Sequence, residues 1–117
     1  MNSRFAMAGE DHALRSLSAL AQSSRLRVFR LLVGAGPAGL YPGQIADMLG
    51  IPANALSFHL RELLDCGLVT QQREGRFLRY RADLPAMRAL MDFLTAHCCG
   101  GNPCGVTPDI ACTTADG

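Results

Sequence analysis

The sequence predicts one mainly α-helical domain of the winged helix-turn-helix class, with its elements in the order α-α-α-α-β-β-α. The chain has 117 residues, of which 49% are hydrophobic and 18% charged, so it can build one core and is too apolar to be disordered. Two amphipathic segments flank the short turn Gly50-Ile51-Pro52, which is the pattern of a helix-turn-helix. A basic hairpin around Glu74-Gly75-Arg76 follows them and would form the wing.

The first two helices are predicted from apolar residues at helical spacing. Residues 1–9 show no periodicity and are expected to be a flexible N-terminus. From Glu10 onwards an apolar stripe indicates the first helix. This stripe consists of Leu14, Leu17, Leu20 and Ala21. The second helix is predicted over Arg25–Val33, capped by Ser23 or Ser24, and a glycine-rich loop follows it.

The third and fourth helices would form the helix-turn-helix. The third is predicted over Gly43–Leu49, with Ile45, Met48 and Leu49 buried. The fourth is predicted over Ala53–Cys66, because its leucines recur on one face. These leucines are Leu56, Leu60, Leu63 and Leu64. Gly67 is expected to end this helix in a left-handed conformation, with Cys66 as a small buried residue.

The wing and a last helix complete the domain. Two strands are predicted over Leu68–Arg73 and Phe77–Arg81, and Asp83 would cap a helix that has Pro85 in its first turn and runs to about His97. The apolar stripe of this helix consists of Leu84, Met87, Leu90, Met91 and Leu94. Because this spacing is typical of a helix that packs on another helix, and the core of one chain is small, we expect a homodimer through the first and last helices.

The charges are segregated along the chain although the net charge is only +1. All eleven basic residues are arginines, and residues 1–30 and 54–81 carry five each. Residues 82–117 carry one arginine against four aspartates. The positive field in the first two thirds of the chain favours an anionic partner on one side of the molecule.

The outer face of the fourth helix carries side chains that can reach base edges and phosphates, as a recognition helix requires. The candidate DNA contacts on it are Asn54, Ser57, Phe58, His59 and Arg61. Gln44 on the third helix and the wing arginines Arg73, Arg76 and Arg79 complete the set, and Arg76 at the tip is best placed to enter a minor groove or contact phosphate. The alternative is an ordinary solvated face with a salt-bridged hairpin. The agreement of helix-turn-helix, wing and charge distribution favours DNA binding.

Several motifs carry a family resemblance. They are Ser24–Leu32 (SRLRVFRLL), Gln44-Ile45-Ala46, Leu56–Leu63 (LSFHLREL), Gly67-Leu68-Val69, and Arg73–Arg76 (REGR) with Tyr80-Arg81. Together, over about residues 12–97, they resemble the ArsR/SmtB family of metalloregulatory repressors. The resemblance implies a dimeric repressor that binds double-stranded operator DNA without effector and leaves it when a metal or metalloid ion binds.

Cysteines after the last predicted helix are the candidate effector ligands. No cysteine lies within Tyr41–Met48, where some family members carry a Cys-x-Cys site, and none precedes Cys66. Cys98, Cys99 and Cys104 resemble the site of a subgroup of arsenical sensors, with a vicinal pair and a third cysteine. Three soft thiolates suit As(III) or Sb(III), which bind sulfur in a pyramid. We therefore expect arsenite or antimonite as effector, and no obligatory cofactor.

Three alternatives use the same cysteines differently. Zinc would require a fourth ligand, Cys112 or His97. A thiol redox sensor would pair Cys104 with Cys98 or Cys99, because a disulfide between adjacent cysteines is strained. A thiol enzyme is not expected, since it needs an activated cysteine beside a base or a helix N-terminus, whereas this chain offers a helix C-terminus, no lysine and no nucleotide-binding loop.

The expected organisation is a flexible N-terminus (1–9), a winged helix-turn-helix domain for DNA binding and dimerisation (10–97), and a cysteine-containing effector tail (98–117). No basic leader precedes an apolar run near Met1, and no apolar run is long enough to span a membrane. We therefore expect a cytoplasmic protein with reduced cysteines and no membrane partner.

Overall fold

A computed structural model describes the backbone of residues 3–96 and the side chains from residue 9 onwards. Its helices are α1 (Ser3–Leu20), α2 (Ser23–Ala35), α3 (Pro42–Leu49), α4 (Ala53–Asp65) and α5 (Leu84–Thr95), and its strands are β1 (Val69–Glu74) and β2 (Phe77–Ala82). The predicted element order and the winged helix-turn-helix class are confirmed for this part of the chain. No helix in these residues is long and apolar enough to cross a membrane.

The hydrophobic core lies between α2, α3, α4 and the hairpin. Val28 and Leu32, four residues apart on one face of α2, are completely buried at its centre. The other large members of the core are Phe29, Ile45, Ile51, Leu56, Leu60, Leu63, Leu68, Val69 and Tyr80. Each fully buried large apolar side chain contributes about 1.5–3 kcal/mol, so this cluster holds α4 and the hairpin against α2.

Two glycines end the helices of the helix-turn-helix as the sequence predicts. Gly50 ends α3 in a left-handed conformation (φ 66°, ψ 36°) and begins the turn to α4. Gly67 follows α4 with φ 83°. Cys66, between α4 and this glycine, is buried, and its Sγ donates to the carbonyl oxygen of Leu63 at 3.4 Å. The prediction that Cys66 is a small buried residue is confirmed.

The wing is an antiparallel hairpin with a two-residue turn. Glu74 pairs with Phe77, so Gly75 and Arg76 make the turn, with φ 64° at the glycine. Each strand extends one residue further towards its C-terminal end than predicted. A hairpin of two strands is only marginally stable alone, so its attachment to the rest of the domain decides where its tip lies.

A short segment before α3 pairs with the hairpin, which the sequence analysis did not predict. The backbone N–H of Leu40 donates to the carbonyl oxygen of Tyr80 at 2.9 Å, and the N–H of Tyr80 donates back to Leu40 at 2.8 Å. Gly39 precedes this pair with φ 65° and ψ −171°, and a Cβ there would lie 2.5 Å from the carbonyl oxygen of Tyr80. Only glycine fits this position.

The ends of the first two helices differ from the prediction. α1 begins at Ser3 rather than Glu10, because the intervening segment contains alanine and methionine, which favour helix, and no proline. α2 is capped by Gln22, whose side-chain oxygen accepts from the N–H of Arg25 at 2.8 Å, and not by Ser23 or Ser24. α2 also extends to Ala35, since glycine at position 34 is tolerated in a helix.

The buried face of α1 is not the predicted leucine stripe. Small residues, Ala13, Ser16 and Ala19, face the interior. Leu14 and Leu17 are 55% and 38% exposed. The small side chains allow α1 to pack closely on the neighbouring helices, which turns the leucines outwards.

Met48 is also exposed, in contrast to the prediction. Leu49 packs against the core as predicted, and Ala46, on the same side of α3 as the buried Ile45, does so as well. Met48 is turned away from this face by the helical rotation of about 100° per residue.

α5 begins as predicted and keeps much of its apolar stripe on the surface. The Oδ1 of Asp83 accepts from the N–H of Ala86 at 3.1 Å, which confirms the cap, and Pro85 lies in the first turn. Leu90 is buried. Leu84, Met91 and Leu94 are exposed. The helix ends at Thr95, and the predicted end near His97 lies outside the described residues.

Replacing Gly39 by alanine is expected to lower the free energy of unfolding by about 2 kcal/mol or more, because the new Cβ meets the Tyr80 carbonyl in a backbone conformation that favours glycine. Urea unfolding followed by circular dichroism measures the change. Gly34→Ala is the control: this glycine is helical with open space around it, so alanine is expected to stabilise the protein by about 0.5–1 kcal/mol. Equal effects of the two substitutions would contradict the assignment.

Candidate nucleic-acid interface

The exposed face of α4 and the wing border one cleft of about 600 Å³. Ser57 and Arg61 line it from α4, and Gln71 lines it from β1. All three side chains are exposed. Gln71 was missed by the sequence analysis, although the polar run of β1 could have indicated that this strand has a solvent face. The cleft brings hydroxyl, guanidinium and amide groups together beside the helix expected to enter DNA, and the Asp65 carboxylate lines it as well.

The outer face of α4 carries the side chains that the sequence placed there. Asn54, Ser57, Phe58 and Arg61 are exposed, and His59 is half-buried. The Oδ1 of Asn54 accepts from the N–H of Ala55 at 2.9 Å, which satisfies one of the unpaired donors at the helix N-terminus. Phe58 exposes 55% of its surface, which is unusual for a phenyl ring.

Arg25 approaches this face from α2. Its Nη1 lies 3.5 Å from Nδ1 of His59, and its Cζ lies 5.9 Å from the centre of the Phe58 ring. The rings of Phe58 and His59 meet edge to face at 5.8 Å between centroids. Burial, and secondly the charge of Arg25, lower the pKa of His59 from its ordinary value of 6.5.

Gln44 is exposed on α3, but its side-chain oxygen already accepts a hydrogen bond within the domain. Its Oε1 accepts from the backbone N–H of Tyr41 at 2.9 Å, as part of a capping box at the start of α3. The side-chain amide N–H groups of Gln44 make no hydrogen bond among the described residues. Gln44 therefore offers its amide N–H donors at this surface.

The wing arginines divide into two groups. Arg73 and Arg76 are exposed, as their predicted role requires. Arg79 is instead half-buried in a network within the domain. Its Nη2 donates to Glu74 Oε1 at 2.7 Å and to the Tyr41 hydroxyl at 2.9 Å, and its Nε donates to Glu74 Oε2 at 2.9 Å.

Two further contacts complete the surroundings of Arg79. Its Nη1 donates to the carbonyl oxygen of Ala38, and its Cζ lies 5.0 Å from the centre of the Tyr41 ring. Four of the five N–H groups of an arginine are thus used inside the domain. The structure does not place Arg79 with the arginines that are available for DNA, because the bend before α3 brings Tyr41 and Ala38 against the wing.

Glu74 is the anion of this network. The Tyr41 hydroxyl donates to Oε1 of Glu74 at 2.8 Å. The hydrogen bonds from Arg79, and secondly from Tyr41, lower the pKa of Glu74 to about 2. The hydrogen bond to Glu74 in turn raises the pKa of Tyr41. The network ties the end of β1 to the N-terminus of α3 and so fixes the wing beside the helix-turn-helix.

The described residues hold no metal site. Within residues 3–96 no three His, Cys, Asp or Glu side chains come together in a way that could bind a metal ion. The candidate ligands Cys98, Cys99 and Cys104 lie outside the described residues, as do Cys112 and His97.

Comparison with known proteins finds DNA-binding regulators that are similar to this chain. A family model described as a helix-turn-helix domain matches residues 20–72. The HTH-type transcriptional regulator CmtR of Mycobacterium tuberculosis is 44% identical over 73 residues, which cover 62% of this chain and 59% of CmtR. This chain therefore spans less than two thirds of the length of that relative.

Two solved structures extend the comparison. The homodimeric winged helix-turn-helix DNA-binding domain of Mb0332 from Mycobacterium bovis, a possible ArsR-family transcriptional regulator, is 25% identical, with a TM-score of 0.64 over 84% of this chain and 94% of that one. A possible transcriptional regulator for arsenical resistance is 30% identical, with a TM-score of 0.60 over 69% of this chain and 81% of that one. These comparisons support a transcriptional regulator of the ArsR type. The winged helix-turn-helix fold of the chain is thereby confirmed.

The ion pair of the wing is expected to make stability depend on pH. Because the folded pKa of Glu74 is lowered to about 2 from 4.5, its stabilising effect is complete above about pH 4.5 and is lost as the pH falls towards 2. Glu74→Gln should therefore lower the urea midpoint at pH 6, and the difference from the unchanged protein should shrink between pH 4.5 and 2. Asp47→Asn, at an exposed carboxylate of α3, is the control. A difference that is constant over this range would contradict the role of Glu74.

Proposed function

We propose that this chain is a dimeric repressor of the ArsR family that binds operator DNA and releases it when As(III) or Sb(III) binds Cys98, Cys99 and Cys104. The observation that carries the DNA-binding part is the cleft between α4 and the wing, bordered by Ser57, Arg61 and Gln71. The effector part rests on the cysteine pattern, and it is supported by the similarity to a possible regulator for arsenical resistance.

The exposed face of α4 suits the major groove of DNA, which admits a helix with its side chains. Asn54 and Ser57, near its N-terminus, would reach base edges. Arg61 and the exposed wing arginines Arg73 and Arg76 would neutralise phosphates on both sides of the groove. Because the wing is fixed by the Glu74 network, its tip keeps one position relative to α4.

Arg76→Ala is expected to weaken binding to duplexes of any sequence, and to make the slope of log binding constant against log salt concentration shallower by about one. Fluorescence anisotropy with a duplex of the gene's own upstream region, at several salt concentrations, measures this slope. Arg88→Ala removes the same charge from an exposed position on α5 and should leave the slope unchanged. An equal change in both variants would argue against a DNA contact at the wing tip.

The dimer is supported by the apolar surface that α1 and α5 leave uncovered. The two helices pack on each other, and their outer sides expose six large apolar side chains. These are Leu14, Leu17, Leu84, Met91, Phe93 and Leu94. Exposed apolar side chains in this number are typical of an interface, and the similar Mb0332 domain is homodimeric. Two copies would present two recognition helices to two half-sites.

Met91→Glu is expected to convert the dimer into a monomer in sedimentation velocity experiments, because an ionised carboxylate in an apolar interface is costly. Met91 is 56% exposed in the single chain. Met48→Glu is the matched control, since Met48 is similarly exposed, at 61%, but lies on α3. A dimer that survives the first substitution, or dissociates equally with both, would contradict the proposed interface.

The effector step links the cysteines to the dimer helix. α5 ends at Thr95, three residues before Cys98, so an ion bound by the cysteines would be attached close to the helix that we assign to the interface. Soft thiolates and a trigonal-pyramidal ion are well matched. A coupling of about 1–3 kcal/mol, typical of allosteric proteins, corresponds to a 5- to 150-fold loss of operator affinity.

A gel shift with reduced protein and arsenite tests this step. Ser substitutions at Cys98, Cys99 and Cys104 should each leave DNA binding intact and abolish the release by arsenite. Cys112→Ser is the matched control and should keep the response. An inert Cys104→Ser change would remove the third ligand from the proposal, and release by peroxide alone would indicate a redox sensor instead.

A further inference from the structure

Arg25 joins three helices at the edge of the candidate DNA-binding face. Its backbone N–H donates to the Gln22 side chain, and its Nε donates to the carbonyl oxygen of Ala19, in the last turn of α1, at 2.8 Å. Its Nη1 lies 3.5 Å from Nδ1 of His59 on α4. The guanidinium is therefore held by the end of α1 and directed at one particular nitrogen of the imidazole.

This arrangement restricts the protonation of His59. An arginine has only N–H donors and keeps its charge at every accessible pH. A nitrogen that faces such a group is favoured as a hydrogen-bond acceptor, and a proton on it would place two donors against each other. A neutral imidazole carries its single proton on the other nitrogen, Nε2, whenever Nδ1 is the acceptor.

We propose that Arg25 is a positioning residue that fixes His59 as the neutral Nε2–H tautomer, so that α4 presents a hydrogen-bond donor to DNA at this position. Nε2 makes no hydrogen bond among residues 9–96, whose side chains are described, so this donor is available. The partner would be an acceptor edge in the major groove: N7 of a purine, O6 of guanine or O4 of thymine. The DNA part of this inference rests on the proposed function, and the tautomer does not.

The surroundings of His59 support the neutral form. The residue is half-buried, and the Phe58 ring lies against it at 5.8 Å between centroids. Burial and the charge of Arg25 both lower the pKa of His59, because each disfavours a positive charge on the imidazole. In the described part of the chain Arg25 is the charged group that shifts the pKa of His59.

The proposed role of His59 differs from that of the other candidate DNA contacts. Arg61, Arg73 and Arg76 would bind phosphates by charge, whereas a neutral His59 adds no charge and selects among bases. Removing His59 should therefore change sequence preference and leave the salt dependence of binding unaltered. Removing one of the arginines should reduce the salt dependence of binding and leave the sequence preference unaltered.

Nuclear magnetic resonance of the full chain, labelled with ¹⁵N histidine and free of DNA, tests the tautomer. The chain has three histidines, and the His59 signals are identified by their loss in His59→Gln. At pH 7 long-range ¹H–¹⁵N correlations should show the proton on Nε2 and none on Nδ1. A proton on Nδ1, or a charged ring at pH 7, overturns the proposal whether or not the protein binds DNA.

Arg25→Ala tests the role of the arginine. The measured pKa of His59 should rise towards 6.5 and the Nδ1–H form should become detectable, because both the charge and the donor are lost. Arg30→Ala is the matched control, since it removes an exposed arginine from the same helix and should change neither quantity. Identical titrations of the two variants would overturn the role of Arg25. If Arg25→Ala does not fold, the tautomer measured in the unchanged protein still confirms or overturns the proposal.

The DNA part is tested with His59→Ala and duplexes from the gene's upstream region in which single purines are replaced by 7-deaza analogues or single thymines by 4-thiothymine. A modification that weakens binding of the unchanged protein at least tenfold, and of His59→Ala less than twofold, locates the acceptor. A salt slope that changes in His59→Ala as it does in Arg76→Ala would contradict a neutral donor.

Discussion

The pairing of Leu40 with Tyr80 determines where the wing lies relative to α4. Tyr80 is buried in the core, so the two backbone hydrogen bonds attach the segment before α3 to a strand that is already fixed. Gly39 allows this approach, since any side chain there would collide with the Tyr80 carbonyl. Without this attachment the hairpin would be a two-stranded ribbon, which is only marginally stable.

A second attachment lies at the other end of the hairpin. Glu74, Arg79 and Tyr41 form a closed set of hydrogen bonds that joins the end of β1, β2 and the start of α3. Its members are partly exposed, so it contributes more to orientation than to stability. Together the two attachments hold the tip arginine, Arg76, in a defined position while it remains solvent-exposed. The residues that fix the position of the wing are therefore different from Arg76, the residue that its tip leaves exposed to a partner.

α1 combines a tightly packed inner side with an apolar outer side. Its small residues allow the helix to approach the core closely, and its leucines are left on the surface with those of α5. A monomer gains little from such a surface, whereas a dimer buries it at no cost to the core. The end of this same helix accepts a hydrogen bond from Arg25, which also approaches His59. Arg25 therefore contacts both the helix of the proposed dimer interface and the proposed base-reading helix.

The sequence by itself determined the elements of this domain and the composition of its candidate DNA-binding face. Helical periodicity, Gly50, Gly67 and the hairpin turn are local signals, so α3, α4 and the wing were predictable within a few residues, as was the outward face of α4. The predictions for the effector cysteines came from a family resemblance and from the preference of soft thiolates for soft ions, and they stay predictions.

Only the tertiary structure decided which arginines are available and which apolar residues are covered. Arg79 looks like Arg76 in the sequence, but a bend more than thirty residues earlier brings Tyr41 and the Ala38 carbonyl against it. Leu14 and Leu17 have the spacing of a buried stripe, yet the neighbouring small residues pack more closely and take their place. Gln71 became visible only when β1 and α4 enclosed a cleft. The reason is physical: periodicity records which residues share a face, whereas long-range packing determines which partner that face meets.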